Sequence, residues 1–426
     1  MEQAPDPTPA DARPRSLGRS FWLPLLAFSA MTLVLGYWLK ARCAAVPWVG
    51  GFEFRNYCYS DVRALYWANG YADGRMPYVD VRSEYPVITG IIPWILTRFF
   101  HNVNDWWHAN AVLLFLAGLG VTYCLGRAGH DWRAAAPWIL APSLVIDGFT
   151  NWDLWATLGL VAGLVLFLEG RLVGSGVAIG LGTAAKFFPA VVGPGLALVL
   201  VNRARNQGAD WRSPALRGQL AKLAGGFVLG WLPVNLPFIL RNRTLWWETY
   251  RFHEERGTTY QTIGYFLDQK VMMPHFDHAL TTTEFNRLAL VLTLLGMVVT
   301  LAIGWRRRSE DAMLLSTGLL AVFVAAGKVY SLQYALWLLP LFVLARLPRW
   351  LWYTFTAAHV VSYVWAYHMR LGPWGEFVPL FEASSFVLLV CICMMVVIAW
   401  RRLSGTRVPV TAPSAPEAAS SGDVVP

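Results

Sequence analysis

Charge is scarce in this sequence. Only 14% of its 426 residues are Asp, Glu, Lys or Arg, and only 26 are acidic. A soluble domain carries about a quarter charged residues, so an ordinary soluble globular protein is excluded. Cysteine is scarcer still, with five in the chain and none in a metal-binding pattern. The sequence has no G-x-x-x-x-G-K-[ST] loop, no H-E-x-x-H helix and no nucleophile-elbow serine. A nucleotide-using cytoplasmic enzyme therefore has no visible site. No internal repeat stands out, which counts against transporter folds built from repeats.

What is present is apolar. Hydrophobic residues make up 56% of the chain, and its mean hydropathy is +0.43. The runs Phe21 to Leu39, Leu223 to Leu240, Leu288 to Gly304 and Phe377 to Ala399 approach the roughly 20 residues that cross a bilayer. Barrel strands alternate apolar and polar over about ten residues, and these runs do not. The chain reads as an all-α polytopic membrane protein. Its net charge of +9 fits cytoplasmic loops rich in Lys and Arg better than a nucleic-acid partner. Many of its 22 tryptophans sit at run ends, such as Trp22, Trp38, Trp246, Trp247, Trp305 and Trp400, as interfacial belts require. Arg13, Arg15 and Arg19 before a long first run, without a small-residue cleavage site, read as a signal anchor.

Twelve crossing stretches are expected: 21–39, 109–125, 134–146, 154–168, 172–185, 187–201, 223–240, 288–304, 312–326, 334–346, 350–367 and 377–400. With twelve, the arginines at 203–217, 306–308, 346/349 and 401–402 and those of the N-terminus all fall on the cytoplasmic side. A thirteenth crossing at Val87 to Phe100 would break that pattern. This stretch is about 14 residues and is interrupted by Pro93, so it reads as an amphipathic helix lying at the outer surface. The expected layout is thus a membrane domain over 18–403, with external regions at 40–108 and 241–287. Residues 1–17 and 404–426 would be disordered cytoplasmic ends, rich in Pro, Ala and Ser. Cys43 and Cys58 share the first external loop, where they either pair or remain free thiols.

The polar candidates gather on the external face. Asp61, among Tyr57, Tyr59, Tyr66 and Trp67, suits a base that takes a sugar-hydroxyl proton, or else a helix cap. Asp80 and Glu84 flank Arg82, and either orient a polar ligand or pair with Arg75 and Arg82. Asp147 and Asp153 share a short turn, with Asp153 also placed to cap a helix. Lys186 is the single charge between Val173 and Val201, and either meets an anion or snorkels. Arg251, His253 and Arg256 lie in an aromatic-rich stretch that suits an anionic head group or an interfacial helix. Lys328, Tyr330 and Gln333 join the same face.

Five short segments in order, "CYSDVRALY", "PYVDVRSEYPVITG", "GFTNWDLWATLGL", "GLGTAAKFFP" and "GKVYSLQYALWLLPL", resemble the bacterial membrane glycosyltransferase family 87, of the C-type fold. The resemblance runs from about Phe21 to Trp400. Gly327 and Leu332 depart from the Asn and Pro of the family's late motif. It implies a C-type fold with juxtamembrane helices in the first external loop. It also implies inverting transfer from a polyprenyl-monophosphate-linked sugar, with Asp61 as base. Members of this family are similar to polyprenyl-phosphate-mannose-dependent mannosyltransferases.

The expected function is transfer of one sugar, mannose first and arabinofuranose second, to a glycolipid or glycan acceptor on the outer face of the cytoplasmic membrane. Lys186, Arg251, His253, Arg256, Lys328 and Tyr330 would hold the phosphate. Asp80, Glu84, Tyr85, Asp147 and Asp153 would orient the sugars. A divalent metal is not demanded, and the expected partners are the donor, the acceptor and membrane lipids. The rivals are a transporter or flippase, a non-catalytic envelope assembly protein, and a ligase moving a whole glycan from polyprenyl diphosphate.

Overall fold

The computed structural model describes residues 19–129, 131–210, 212–372 and 378–405. The expected disordered ends, apart from the residues at 404 and 405, lie outside these. The described chain is all-α, with an isolated bridge between Pro77 and Val81 as its sole extended pairing. Five helices are long and apolar enough to cross a membrane: Phe21–Ala41, Val103–Arg127, Pro214–Arg241, Thr282–Arg306 and Val378–Ser404. The other expected crossings also fall on helices, several of them broken. The 134–146 stretch forms two pieces, Ala136–Ile139 and Pro142–Asp147, because Pro137 and Pro142 each start a new helix. A 3-10 turn at Phe188–Val192 precedes Gly193–Asn206, and another at Leu332–Tyr334 precedes Ala335–Leu344.

Helix starts lie earlier than the apolar runs suggest. Pro214–Arg241 begins nine residues before the 223–240 stretch, because the Ser213 hydroxyl caps it and Pro214 is preset for the first turn. Val103–Arg127 begins at the Asn102 cap, whose side chain accepts from the Asp105 amide at 2.9 Å. A reciprocal Thr281–Glu284 capping box starts Thr282–Arg306. Hydropathy marks where a helix is buried in lipid; caps mark where it begins.

Two glycine pairs set the closest packing. Gly176 and Gly180 on Leu172–Ala185 face Gly226 and Gly230 on Pro214–Arg241. A methyl group added at any of these four would strike the partner helix's backbone. Both helices thus carry G-x-x-x-G, the spacing that lets apolar helices touch without side chains between them. This contact fixes the end of Leu172–Ala185, where Lys186 follows.

The loops sort into two groups by contact. Arg127 pairs with Glu169 at 2.7 Å, Asn206 bonds Glu310, and Arg402 donates to the Ala345 carbonyl. These join the loops expected inside. The segments 57–61, 83–85, 149–153, 186, 249–259 and 328–333 meet at the other group, which contains the site.

Val87–Leu96 is ten residues, about 15 Å of helix. That is half the roughly 30 Å hydrocarbon core. It docks beside the site: the Thr89 hydroxyl donates to the Ala185 carbonyl (2.7 Å), and the Trp106 indole to the Pro93 carbonyl (2.8 Å). The helix is shorter than its apolar run, and Thr97 to Phe99 form a turn.

Cys43 and Cys58 form a disulfide, with Cα atoms 5.8 Å apart. The bond ties the end of the first long helix to the segment that leads into Asp61. For a loop closed over 15 residues, chain entropy gives about 3 kcal/mol. Cys43→Ser should therefore lower the thermal midpoint, and wild-type intact mass without reductant should be two hydrogens below the free-thiol mass. A free-thiol mass would remove the bond.

Candidate active site

Asp61 opens the short helix Asp61–Ala68, but its carboxylate does not cap it. Oδ1 accepts from the Tyr59 hydroxyl at 2.8 Å, and Oδ2 from the Asn151 amide at 2.8 Å and the Gln333 amide at 3.4 Å. The preceding Ser60 is not a cap either: its hydroxyl donates to the Phe149 carbonyl at 2.8 Å. Every donor on Asp61 therefore comes from outside its helix, and the carboxylate remains half-buried at the surface of the site. The same carboxylate, with burial the larger cause, pushes the Tyr59 hydroxyl above its usual range, so Tyr59 stays protonated as a donor.

Asn151 links Asp61 to the cation. Its amide also reaches the Tyr85 hydroxyl at 2.6 Å. The Lys186 ammonium sits 5.4 Å from the centres of the Tyr85, Tyr334 and Trp337 rings. It forms an ion pair with Asp153 at 2.8 Å, and the Trp337 indole donates to the same carboxylate oxygen. Asp153 is fully buried and its other oxygen has no partner among the described residues, whereas 15% of the Lys186 side chain is exposed. Neither bland expectation holds: Asp153 is not a cap, and Lys186 does not snorkel.

The 241–287 region supplies more positive groups. The Thr249 hydroxyl donates to the Ser83 carbonyl (3.0 Å), and the His253 ring meets the Glu84 carbonyl (3.1 Å), docking Arg243–Glu255 on the 83–85 segment. Although much of His253 is exposed, desolvation of its ring, then the Arg256 and Lys186 cations, hold it at about 4. It is neutral at pH 7 and would meet a phosphate without charge. Arg256 faces Glu84, His253 and Lys328 electrostatically.

Burial raises the Glu84 carboxyl, and the Asp61 charge adds to this against Arg256 and Lys186. A raised carboxyl opposes folding when ionised, so its cost appears as pH climbs from the unfolded value, about 4.3, through the folded one. Glu84→Gln should therefore unfold at a higher temperature than wild type near neutral pH. The gap should close by about pH 3, below both values. Equal midpoints at neutral pH would mean the charge is already compensated.

Other candidates go elsewhere. Asp147 is buried against His359 (2.6 Å) and does not reach the Asp61 network. Asp80 is exposed and accepts from the Met76 amide at 2.8 Å, holding a turn. Arg251 is largely exposed and pairs with Glu248 and Glu255 on its own helix. Lys328 donates to the Glu254 carbonyl and the Asn286 side chain, tying its segment to the 241–287 region. Tyr330 is buried, bonded through its backbone to Thr259, and its hydroxyl has no partner among the described residues. Among the described residues no three His, Cys, Asp or Glu side chains form a metal-binding group.

Asn151, Tyr334 and Trp337 were not expected from the sequence. Each lies one to four residues from a residue that was singled out, Asp153 or Gln333, which is the signal available for them.

No family model matches the sequence, and no curated protein does. Among solved structures, the crystal structure of ArnT from Cupriavidus metallidurans bound to undecaprenyl phosphate is similar over 91% of this chain and 77% of that chain. The identity is 16% and the TM-score 0.46. A likeness this loose carries no argument about the site.

Proposed function

We propose that this protein is an inverting glycosyltransferase of the C-type fold, moving one sugar from a polyprenyl-monophosphate carrier to a glycolipid or glycan acceptor. One observation carries the reading: Asn151 bonds both the Asp61 carboxylate and Tyr85, whose ring lies beneath the Lys186 ammonium. A base and a cation thus share one site, as transfer from a phosphate carrier needs. Asp61 takes the proton of the acceptor hydroxyl, whose oxygen attacks the anomeric carbon from the face opposite the leaving group. The carbon–phosphate-oxygen bond breaks, and polyprenyl phosphate leaves with the bonding electrons. Lys186 and Arg256 stabilise its developing charge electrostatically. Glu84 interacts electrostatically with both Asp61 and Lys186, and Tyr85 bonds Asn151 beside Lys186, so both would orient the sugar.

The sugar proposed first is mannose, with arabinofuranose second, and the transfer needs no metal. The Cys43–Cys58 disulfide supports placing this end of the molecule outside the cytoplasmic membrane, where such bonds persist. The test is transfer from polyprenyl-phosphate-mannose, then polyprenyl-phosphate-arabinose, by the purified protein with chelator present. The expected product linkage has the opposite anomeric configuration to the donor. No transfer from either donor, or retention of configuration, would refute the reading.

A further inference from the structure

Lys40 is the penultimate residue of the first long helix, and none of its surface reaches solvent. A buried ammonium is costly unless all its donors are used. Here Nζ donates to the Tyr59 carbonyl (2.9 Å), the Tyr363 hydroxyl (3.0 Å) and the Tyr367 hydroxyl (3.3 Å). Its three protons are therefore spent on neutral partners rather than on a carboxylate.

All of these partners converge on the segment before Asp61. Tyr363 passes its own proton to the Tyr57 carbonyl at 2.6 Å. Tyr57 holds a left-handed backbone, φ +55°, which a bulky residue adopts only when its surroundings impose it. The Tyr57 ring stacks on Tyr367. Between the two clamped carbonyls stands Cys58, tied to Cys43. The carbonyl that Lys40 holds belongs to Tyr59, and the hydroxyl of that residue donates to Asp61.

We propose that Lys40 is a positioning residue for transfer: its ammonium pins the Tyr59 backbone, and through Tyr59 it sets the direction of the Asp61 carboxylate. The inference rests on Asp61 as the base. The buried charge is retained here for geometry, because an apolar residue would fill the space without holding a carbonyl.

The test is Lys40→Met, which keeps the length of the stem and removes the donors. A base displaced by about 1 Å loses about 100-fold in rate, so kcat should fall about 10- to 100-fold. Donor KM should stay within about twofold, because the phosphate contacts are untouched. Lys40→Arg, which restores a cationic donor, should recover part of kcat. Amide hydrogen exchange should accelerate over residues 57–62 and stay unchanged in the long helices. Wild-type kcat, or exchange that rises along the whole chain with kcat and KM changing together, overturns the inference. Should Lys40→Met fail to fold, Tyr363→Phe removes the bonds to Lys40 and Tyr57 without emptying the space. It must show the same split, and full kcat there overturns the inference. Asp61→Asn is assayed alongside. If that variant turns over at the wild-type rate, the base reading has failed and this inference with it. If it is inactive while Lys40→Met turns over normally, the inference alone has failed.

Discussion

Asp61→Asn should lower sugar transfer by about 10²- to 10⁴-fold, the usual contribution of a general base. The substitution is close to isosteric. The new amide can turn its oxygen to the Asn151 and Gln333 donors and its NH₂ to the Tyr59 hydroxyl, which can accept as well as donate. The site therefore keeps its bonds and loses only the capacity to take a proton. Expression, elution volume and thermal midpoint should match wild type. Donor KM should change little, since Lys186 and Arg256 are untouched, and the loss should appear in kcat. Transfer from polyprenyl-phosphate-mannose by equal amounts of the two proteins checks this. Equal rates would remove Asp61 as the base. Asp147, buried against His359, is not placed to replace it.

Lys186→Met should destabilise the protein and stop transfer, and the two effects can be separated. Asp153 is fully buried, and Lys186 is its ion-pair partner. Removing one member of a buried pair strands the other charge and costs about 3–5 kcal/mol. Asp153→Asn alone should cost less, because it leaves the partly exposed ammonium able to reach water. In the double variant Lys186→Met/Asp153→Asn no charge is stranded, so most of the lost stability should return. Transfer should not return, because the cation proposed to meet the leaving phosphate is still missing. Thermal unfolding in detergent and the transfer assay, run on all three variants, decide between roles. Recovery of both stability and transfer in the double variant would make Lys186 purely structural.

Some candidates stood out in the sequence and others did not, for physical reasons. Lys186 was conspicuous because a charge in a long apolar stretch is expensive and needs a reason. Its partner was not legible: Asp153 lies 33 residues away and resembles a helix cap, until the fold brings it to 2.8 Å. Asp147 drew notice for the same scarcity of acids, yet it is held by His359, 212 residues away. Lys40 attracted none, because a lysine just past an apolar run looks like an ordinary helix end. Its burial comes from Tyr363 and Tyr367, more than 300 residues later.

The sequence by itself determined the class of molecule: apolar run length, charge asymmetry and the scarcity of acids are read along the chain and need no partner. It also marked Val87 to Phe100 as too short to span, since an apolar run's reach depends on residue count alone. Only the tertiary structure decided which polar groups meet. Hydropathy records whether a side chain prefers to leave water; it does not record which partner satisfies its hydrogen bonds once it has. That is why Asp61, Asn151 and Gln333, drawn from three distant segments, form one site that no stretch of the sequence contains.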